Sequence, residues 1–335
     1  MIALSSRRRA ALAAILALAL AAVYAVWWHH LAETLRQGIE RWAAARRADG
    51  WTVATGSVTV SGFPFGLRLS LAAPSLADGA GDRWDGPPLT VDLSPLQPVR
   101  PHLTAAGKHM ISLGGTSSYE IEAGQATADL SFDDDGLGQG TISLASVQAG
   151  QSSLGTMTLS VDRLAAGSVP HTQPTWAMSA SLDSLTLPAD PRLLLGRRVA
   201  SAHVKARVLG RVPPGPLPAA LGAWRDDGGT VEIEALAIDW PPLDLGGTGT
   251  VALDRDMQPM AAGTCSVRGL FATVDALVRS GVVTAQDGRM AKLVLGLLAK
   301  PAAGGDKELA VPLTIENRFL YVGPVQLLRL PEMAW

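Results

Sequence analysis

The stretch SGFPFGLRLSL, residues 61–71, decides how the β part of this chain begins. Its apolar residues occupy every second position, as in a strand with one apolar face: Phe63, Phe65, Leu67, Leu69 and Leu71. The apolar residues just before it, Val58 and Val60, fall on the opposite parity. Gly62 permits backbone angles that other residues avoid, and Pro64 donates no hydrogen bond to a neighbouring strand. We therefore predict a kink or bulge here that bends the first long strand and starts a curved sheet.

The composition is that of a folded protein with ample material for an apolar core. Of 335 residues, 47% are hydrophobic and 17% are charged. The formal net charge of −2 gives no basic surface, so we expect no nucleic-acid partner. Cys265 is the only cysteine, which excludes disulfides within the chain and zinc sites built from several cysteines.

The N-terminus carries the pattern of a membrane anchor. Three arginines, Arg7, Arg8 and Arg9, precede an uncharged apolar run over residues 10–28. That run is long enough to cross a bilayer as a helix, and aromatic residues near its end suit the membrane interface. We predict a cytoplasmic segment (1–9) and a transmembrane signal anchor (10–28), with a cleaved signal peptide as the alternative. The predicted anchoring residues are Arg7, Arg8, Arg9, Trp27 and Trp28.

Charge placement predicts the orientation of the anchor. The positive cluster before the apolar run is expected to stay in the cytoplasm. In a bacterial cell, the protein would then be a single-pass inner-membrane protein with its C-terminal domain in the periplasm.

Residues 31–48 have helical periodicity, with an apolar stripe at Leu31, Leu35, Ile39 and Trp42. One interpretation is an amphipathic helix on the membrane surface that continues from the anchor. The other, which we favour, is a helix whose stripe packs on the β domain.

After residue 50 the period changes to two, typical of antiparallel sheets with one apolar face. Predicted strands are Leu89–Leu93, Gln125–Phe132, Thr141–Val147, Leu154–Val161, Thr175–Leu187 and Val199–Val208. The Pro- and Gly-rich residues 212–216 divide a first β region (51–211) from a second (212–335) with short helices at Pro218–Trp224, Leu270–Arg279 and Met290–Leu298. In the second region the apolar parity changes between Ile233 and Leu236. The predicted fold is mainly β, with curved antiparallel sheets that form a groove or an open sandwich.

Enzyme signatures are missing from the sequence, and the residues that could carry chemistry have simpler interpretations. His102 and His109 could meet in a sheet, but their spacing is a weak metal signal. The acidic run 133–135 before Gly136 lacks the alternating ligands of a calcium loop and reads as a solvated turn. Cys265 has no base beside it. We expect no catalytic residues, no metal, no cofactor and no enzymatic activity.

Several short motifs resemble a bacterial envelope family of unknown function. They are Gly62-Phe63-Pro64-Phe65 soon after a signal anchor, Trp84 with Pro87-Pro88-Leu89, and a final hairpin with Asn317-Arg318 and Gly323-Pro324. Residues 236–253 are similar to AsmA-like β proteins in their alternation of strand, proline and glycine. The resemblance implies an inner-membrane-anchored periplasmic protein with a role in lipid or envelope homeostasis.

The predicted function is to bind or shield apolar groups such as lipid acyl chains. Candidate ligand-binding side chains are Phe63, Phe65, Leu67 and Leu69, and the expected partner is membrane lipid. The alternative is a non-enzymatic scaffold or assembly factor that binds another envelope protein through a strand edge.

Overall fold

A computed structural model describes residues 6–115, 117–167, 169–189, 195–279, 284–298, 300–301, 307–322 and 325–333. The chain forms two compact units, residues 1–122 with 127–131 and residues 123–126 with 132–335. The boundary predicted at residue 212 lies within the second unit. The predicted mainly β fold, with antiparallel sheets, a long apolar N-terminal helix and a few short helices, is confirmed.

A single long helix opens the first unit. Helix α1 (Ser6–Ala48) has 43 residues, which at 1.5 Å per residue is about 64 Å. It joins the predicted anchor and the predicted amphipathic helix in one unbroken element, and it is long and apolar enough to span a membrane. Side chains 14–23 are exposed, and burial begins near Trp28 and Ala32.

The strands of the first unit are short and antiparallel. They are β1 (Thr52–Ala54), β2 (Val58–Ser61), β3 (Leu67–Leu71), β4 (Ser75–Ala77), β5 (Arg83–Asp85), β6 (Leu89–Ser94), β7 (Gln97–Thr104), β8 (Gly107–Leu113) and β9 (Ser117–Asp133), the last with residues in both units. One run pairs β2 with β3, β3 with β6, β6 with β7 and β7 with β9. Another pairs β1 with β4, β4 with β5 and β5 with β8.

The stretch at residues 61–71 is a hairpin, so the prediction of one bent strand is wrong. Strand β2 ends at Ser61, residues 62–66 turn, and β3 returns antiparallel to it, with Val60 opposite Leu69. Gly66 N donates to Gly62 O at 2.9 Å and closes the turn. Gly62 has φ +103°, and a Cβ on it would lie 2.9 Å from Gly66 O. The parity changes because the chain reverses, since residues opposite each other in a hairpin share one face.

Helix α1 covers this hairpin and forms the core of the first unit. Trp28, Ala32, Leu67 and Leu93 form a buried cluster, against which Tyr24, Leu31, Leu35, Val60 and Val91 pack. The interpretation of residues 31–48 as a helix packed on the β domain is therefore confirmed. The predicted stripe is wrong at its end, because Trp42 is half exposed while Ala43 is buried. A small alanine allows the helix backbone to approach the strands more closely than an indole would.

The second unit is a long antiparallel meander. Its strands are β10 (Gly136–Ala149), β11 (Ser152–Arg163), β12 (Pro174–Thr186), β13 (Arg198–Leu209), β14 (Thr230–Trp240), β15 (Leu243–Leu253), β16 (Pro259–Arg268), β17 (Lys300–Pro301), β18 (Lys307–Glu316), β19 (Phe319–Val322) and β20 (Val325–Arg329). Each strand from β10 to β16 pairs with the next, β16 pairs with β18, and β18, β19 and β20 follow in order. The six predicted strands are confirmed: four lie in this unit, Leu89–Leu93 lies in β6 of the first unit, and Gln125–Phe132 lies in β9.

Among the described residues of this unit are the three predicted helices. They are α2 (Leu217–Asp226), α3 (Leu270–Arg279) and α4 (Ala285–Leu298). The predicted final turn is also confirmed. Asn317 and Arg318 have φ values of 51° and 67°, the left-handed conformation that a tight two-residue hairpin turn requires. Gly323 and Pro324, also part of the resemblance, lie outside the described residues.

The second parity change is a β-bulge. The β14–β15 register shifts between Ile233 and Leu236, and the facing β13–β14 register shifts between Lys205 and Ala206. An extra residue at the bulge returns the apolar side chains to the face they would otherwise leave.

Candidate functional site

One face of the second unit's sheet is apolar from strand to strand. Directly paired residues form a row across eight strands: Ile142, Leu159, Ala180, Val204, Leu236, Gly247, Cys265 and Val311. The next row on the same face is Gly140, Val161, Met178, Ala206, Ile233, Gly249, Gly263 and Leu313. Neither row contains a side chain with an oxygen or nitrogen atom. We call this surface of strands β10–β16 and β18 the apolar face.

The opposite face of the same strands is polar. Ser160 and Ser179, paired across β11 and β12, share a hydrogen bond of 2.8 Å between their hydroxyl groups. Ion pairs link neighbouring strands further along, with 3.0 Å between Arg207 Nε and Glu234 and 3.0 Å between Arg268 Nη2 and Asp244. Such cross-strand pairs are normal for a sheet face that meets water.

The apolar face is only partly covered. Met178 is 45% exposed and Ile142 is 43% exposed. In the first row only Cys265 is buried, while the others are half-buried or exposed. In a closed sandwich these side chains would meet a second sheet, so the described part of the unit leaves an open apolar surface.

Helix α2 covers one end of the apolar face. Its residues Ala220 and Trp224 are buried, and Trp224 Nε1 donates to Leu209 O at 2.8 Å. Beside Trp224 lies a cavity of about 360 Å³ with a wholly apolar lining that includes Val208, Val231 and Met333. Met333 is held by two hydrogen bonds with Gln258, one from its N at 2.9 Å and one to its O at 3.1 Å.

Glycines shape the middle of the apolar face. Gly247, Gly249 and Gly263 line a shallow depression with Ile233, Leu236 and Leu313 around it. A Cβ on Gly263 would lie 2.3 Å from Thr248 O, so only glycine fits at this position, where β16 pairs with β15. Without side chains at these positions, the backbone forms the floor of the depression.

The four side chains predicted to bind ligand separate into two environments. Leu67 and Leu69 are 1% and 2% exposed and belong to the core of the first unit. Phe63 and Phe65 lie in the turn of the hairpin and are 52% and 92% exposed. The structure therefore does not bring the four together on one surface.

The predicted anchoring residues all lie on helix α1. Arg7, Arg8 and Arg9 belong to the helix, and the structure describes their backbone but not their side chains. Trp27 is partly exposed, whereas Trp28 is buried and donates from Nε1 to Gly66 O at 2.9 Å. Trp28 thus packs within the protein.

The histidines and aspartates that the sequence analysis weighed as metal ligands are paired with neighbouring side chains or backbone groups in the fold. His102 Nδ1 lies 2.6 Å from Asp129, while His109 accepts a 3.2 Å hydrogen bond from Trp84 Nε1. Asp133 pairs with Arg163, and Asp135 N bonds to Asp133 Oδ1 within the turn. Burial raises the pKa of the Cys265 thiol. In the part of the chain that is described, no three His, Cys, Asp or Glu side chains cluster in a way that could hold a metal ion.

Sequence reasoning predicted antiparallel sheets with one apolar face, but it did not identify the residues that line up across the strands to form it. Alternation in β12, such as Met178, Ala180 and Leu182, marked one apolar side of a strand. Alternation did not reveal the register that aligns eight such strands, nor that most of this face lacks a second layer in the described part of the unit.

Together these features define a mainly β protein with a long apolar N-terminal helix and an open apolar sheet face. The chain belongs to the family described as uncharacterized protein conserved in bacteria (DUF2125), which it matches over residues 28–331. No curated protein and no solved structure matched the chain.

Proposed function

We propose that this protein is anchored in the bacterial inner membrane by helix α1 and binds lipid acyl chains on the apolar face. The observation that carries the proposal is the row from Ile142 to Val311, which presents only apolar groups on eight strands while most of its members stay accessible. An exposed apolar surface of this extent costs free energy in water, so a ligand or partner that covers it stabilises the protein.

The dimensions suit an acyl chain. Eight strands about 4.8 Å apart give the face a width of about 34 Å, and the 11-residue strand β14 is about 36 Å long. One leaflet of a bilayer contains acyl chains about 15 Å deep. Pockets for such ligands are lined mainly by apolar side chains, as the cavity beside Trp224 is.

Periplasmic exposure of both units is part of the proposal. It rests on the arginines before the apolar run and on the positive-inside tendency of membrane proteins. A phosphatase reporter fused after Trp335 is expected to be active, since alkaline phosphatase folds only after export. An active cytoplasmic reporter at the same position would overturn the orientation.

Photocrosslinking in cells tests lipid contact on the full chain. Benzoylphenylalanine is placed at Leu159 on the apolar face or at Ser160, its neighbour on the polar face. We expect the Leu159 probe to give lipid adducts, detected by mass spectrometry of tryptic peptides, and the Ser160 probe to give none. Because the two positions are adjacent in β11, expression, membrane insertion and strand order are matched.

The same experiment separates the proposal from the scaffold alternative. Crosslinks from Leu159 to another protein, with no lipid adduct, would favour a scaffold or assembly factor for an envelope complex. Equal lipid adducts at both positions would contradict binding by the apolar face.

A further inference from the structure

Two turns at one end of the first unit expose large apolar side chains. Leu67 of β3 pairs with Leu93 of β6, so the turn before β3 (62–66) and the turn after β6 (95–96) lie at the same end of the strands. Phe65 at the first turn is 92% exposed, and Leu96 at the second is 81% exposed. Turn tips normally carry small or polar residues that face water. Because Phe65 and Leu96 are large, apolar and exposed side by side, they are more stable in an apolar environment than in water.

Contacts with helix α1 fix where these turns lie along the apolar segment. Trp28 Nε1 donates to Gly66 O at 2.9 Å, and the Tyr24 hydroxyl donates to Pro64 O. The Phe63 ring packs edge-on against Trp28, with 5.4 Å between the ring centroids. The first turn is thus attached to the last helical turn of the uncharged run that ends at Trp28.

The length of that run places the turns at a bilayer surface. From residue 10 to residue 28 the helix rises about 28 Å, close to the roughly 30 Å thickness of a bilayer's hydrocarbon core. When α1 spans the membrane, Tyr24 and Trp28 therefore lie at the interface, and so does the turn bonded to them.

We propose that the turns at 62–66 and 95–96 insert into the outer surface of the bilayer that α1 crosses, with Phe65 and Leu96 among the lipid chains at the interface. Aromatic side chains are favoured at this depth. Arg100, exposed on β7 near the same end, is placed to meet lipid phosphates. The turns would thereby hold the first unit against the membrane. The proposal depends on the anchor part of the proposed function and is independent of acyl-chain binding by the apolar face.

Spin labelling of the full chain in vesicles of phosphatidylethanolamine and phosphatidylglycerol tests this contact. Cys265 is first changed to alanine, and single cysteines then replace Phe65, Leu96, Val23 or Ala72. Val23 lies within the apolar run, and exposed Ala72 follows β3 at the end of the strand away from the turns. Collision rates with oxygen, which concentrates in lipid, and with a water-soluble nickel chelate report the depth of each label.

We expect oxygen to dominate at positions 65, 96 and 23, and the nickel chelate to dominate at position 72. If position 23 is lipid-exposed but positions 65 and 96 match position 72, the turns do not insert, although the anchor stands. If position 23 is also water-exposed, both the anchor and the turn contact are wrong. Because Phe65 and Leu96 are exposed, their replacement leaves the core of the unit intact.

Discussion

Two strands with the same alternation of apolar residues differ in how deeply those residues are buried. In the first unit, Leu67, Leu69 and Leu71 alternate along β3 and are all buried. In the second unit, Met157, Leu159 and Val161 alternate in the same way along β11 and are only half-buried. The difference is helix α1, which packs Trp28 and Ala32 on the first sheet. In the described part of the second unit no such layer lies over β11, so these side chains stay partly exposed.

Buried residues such as those of β3 stabilise the fold, whereas the partly exposed residues of the apolar face are the ones that the proposed ligand can reach. A buried leucine contributes packing free energy, and its removal leaves a cavity. A half-exposed residue contributes less to folding, because much of its apolar surface already contacts solvent. Mutations in the buried core of the first unit should therefore mainly lower stability. Mutations on the apolar face should mainly weaken the proposed ligand binding.

The largest expected effect is on stability, from truncation in the covered core. Leu67→Ala should lower the free energy of unfolding by about 2–5 kcal/mol. Met178→Ala on the apolar face should cost about 1 kcal/mol or less, because its side chain is 45% exposed. Urea denaturation of the detergent-solubilised full chain, followed by tryptophan fluorescence, measures both. Equal losses would show that the two regions are covered to the same degree.

The contact between α1 and the hairpin turn should be the next most sensitive. Trp28→Phe keeps an aromatic ring in the core but removes the N–H that bonds to Gly66 O at 2.9 Å. We expect a loss of about 1–3 kcal/mol, the cost of leaving a partly buried carbonyl without its partner. Trp42→Phe, at a half-exposed position of the same helix, is the matched control and should change stability little. Similar losses for the two variants would mean that the turn does not depend on this hydrogen bond.

Glycine substitutions test the close strand contact in the second unit. Gly263→Ala places a Cβ 2.3 Å from Thr248 O and should destabilise the sheet by about 1–3 kcal/mol through overpacking. Gly222→Ala, in α2 with nothing within 4 Å of its Cβ position, should stabilise the protein by about 0.5–1 kcal/mol. The opposite signs are checked by the same denaturation measurement. A stabilised Gly263→Ala variant would contradict the close contact between β15 and β16.

How far the sequence predicts this structure depends on the distance over which its signals act. The turn at Asn317-Arg318, helix α3 and the strand alternation are local, so composition and period were sufficient. At residues 62–66 the parity change was visible, but a bulge and a hairpin produce the same change, and only the pairing of β2 with β3 distinguishes them. The apolar face required register across eight strands, which no local pattern contains. Trp28 is an aromatic residue at the end of the apolar run, which predicts a position at the membrane interface. Its hydrogen-bond partner, Gly66, is 38 residues away in the sequence, so no local pattern predicts their contact.

The smallest expected effect comes from surface ion pairs, one in each unit. Hydrogen bonds from Arg83 lower the pKa of Asp85, and a hydrogen bond from Arg163 lowers the pKa of Asp133. A carboxyl group whose pKa is lower in the folded state stabilises the fold above its unfolded pKa of about 3.9. That stabilisation is lost as the pH falls through the folded pKa. Asp85→Asn and Asp133→Asn should each lower stability slightly at pH 7, and by progressively less as the pH falls through the folded pKa, as denaturation over a series of pH values would show. A loss that stays the same across the series would point to packing instead of charge.

Native mass spectrometry of the full chain tests acyl-chain binding by the apolar face most directly. The protein is released from detergent micelles, and the lipid masses that stay bound are counted for wild type, Val204→Asp on the apolar face and Lys205→Asp on the polar face. Because the two substitutions are adjacent in β13 and introduce the same side chain, they differ mainly in the face that they change. We predict that wild type and Lys205→Asp retain lipid and that Val204→Asp loses it. Lipid retained equally by all three proteins, or by none of them, would contradict the proposed binding.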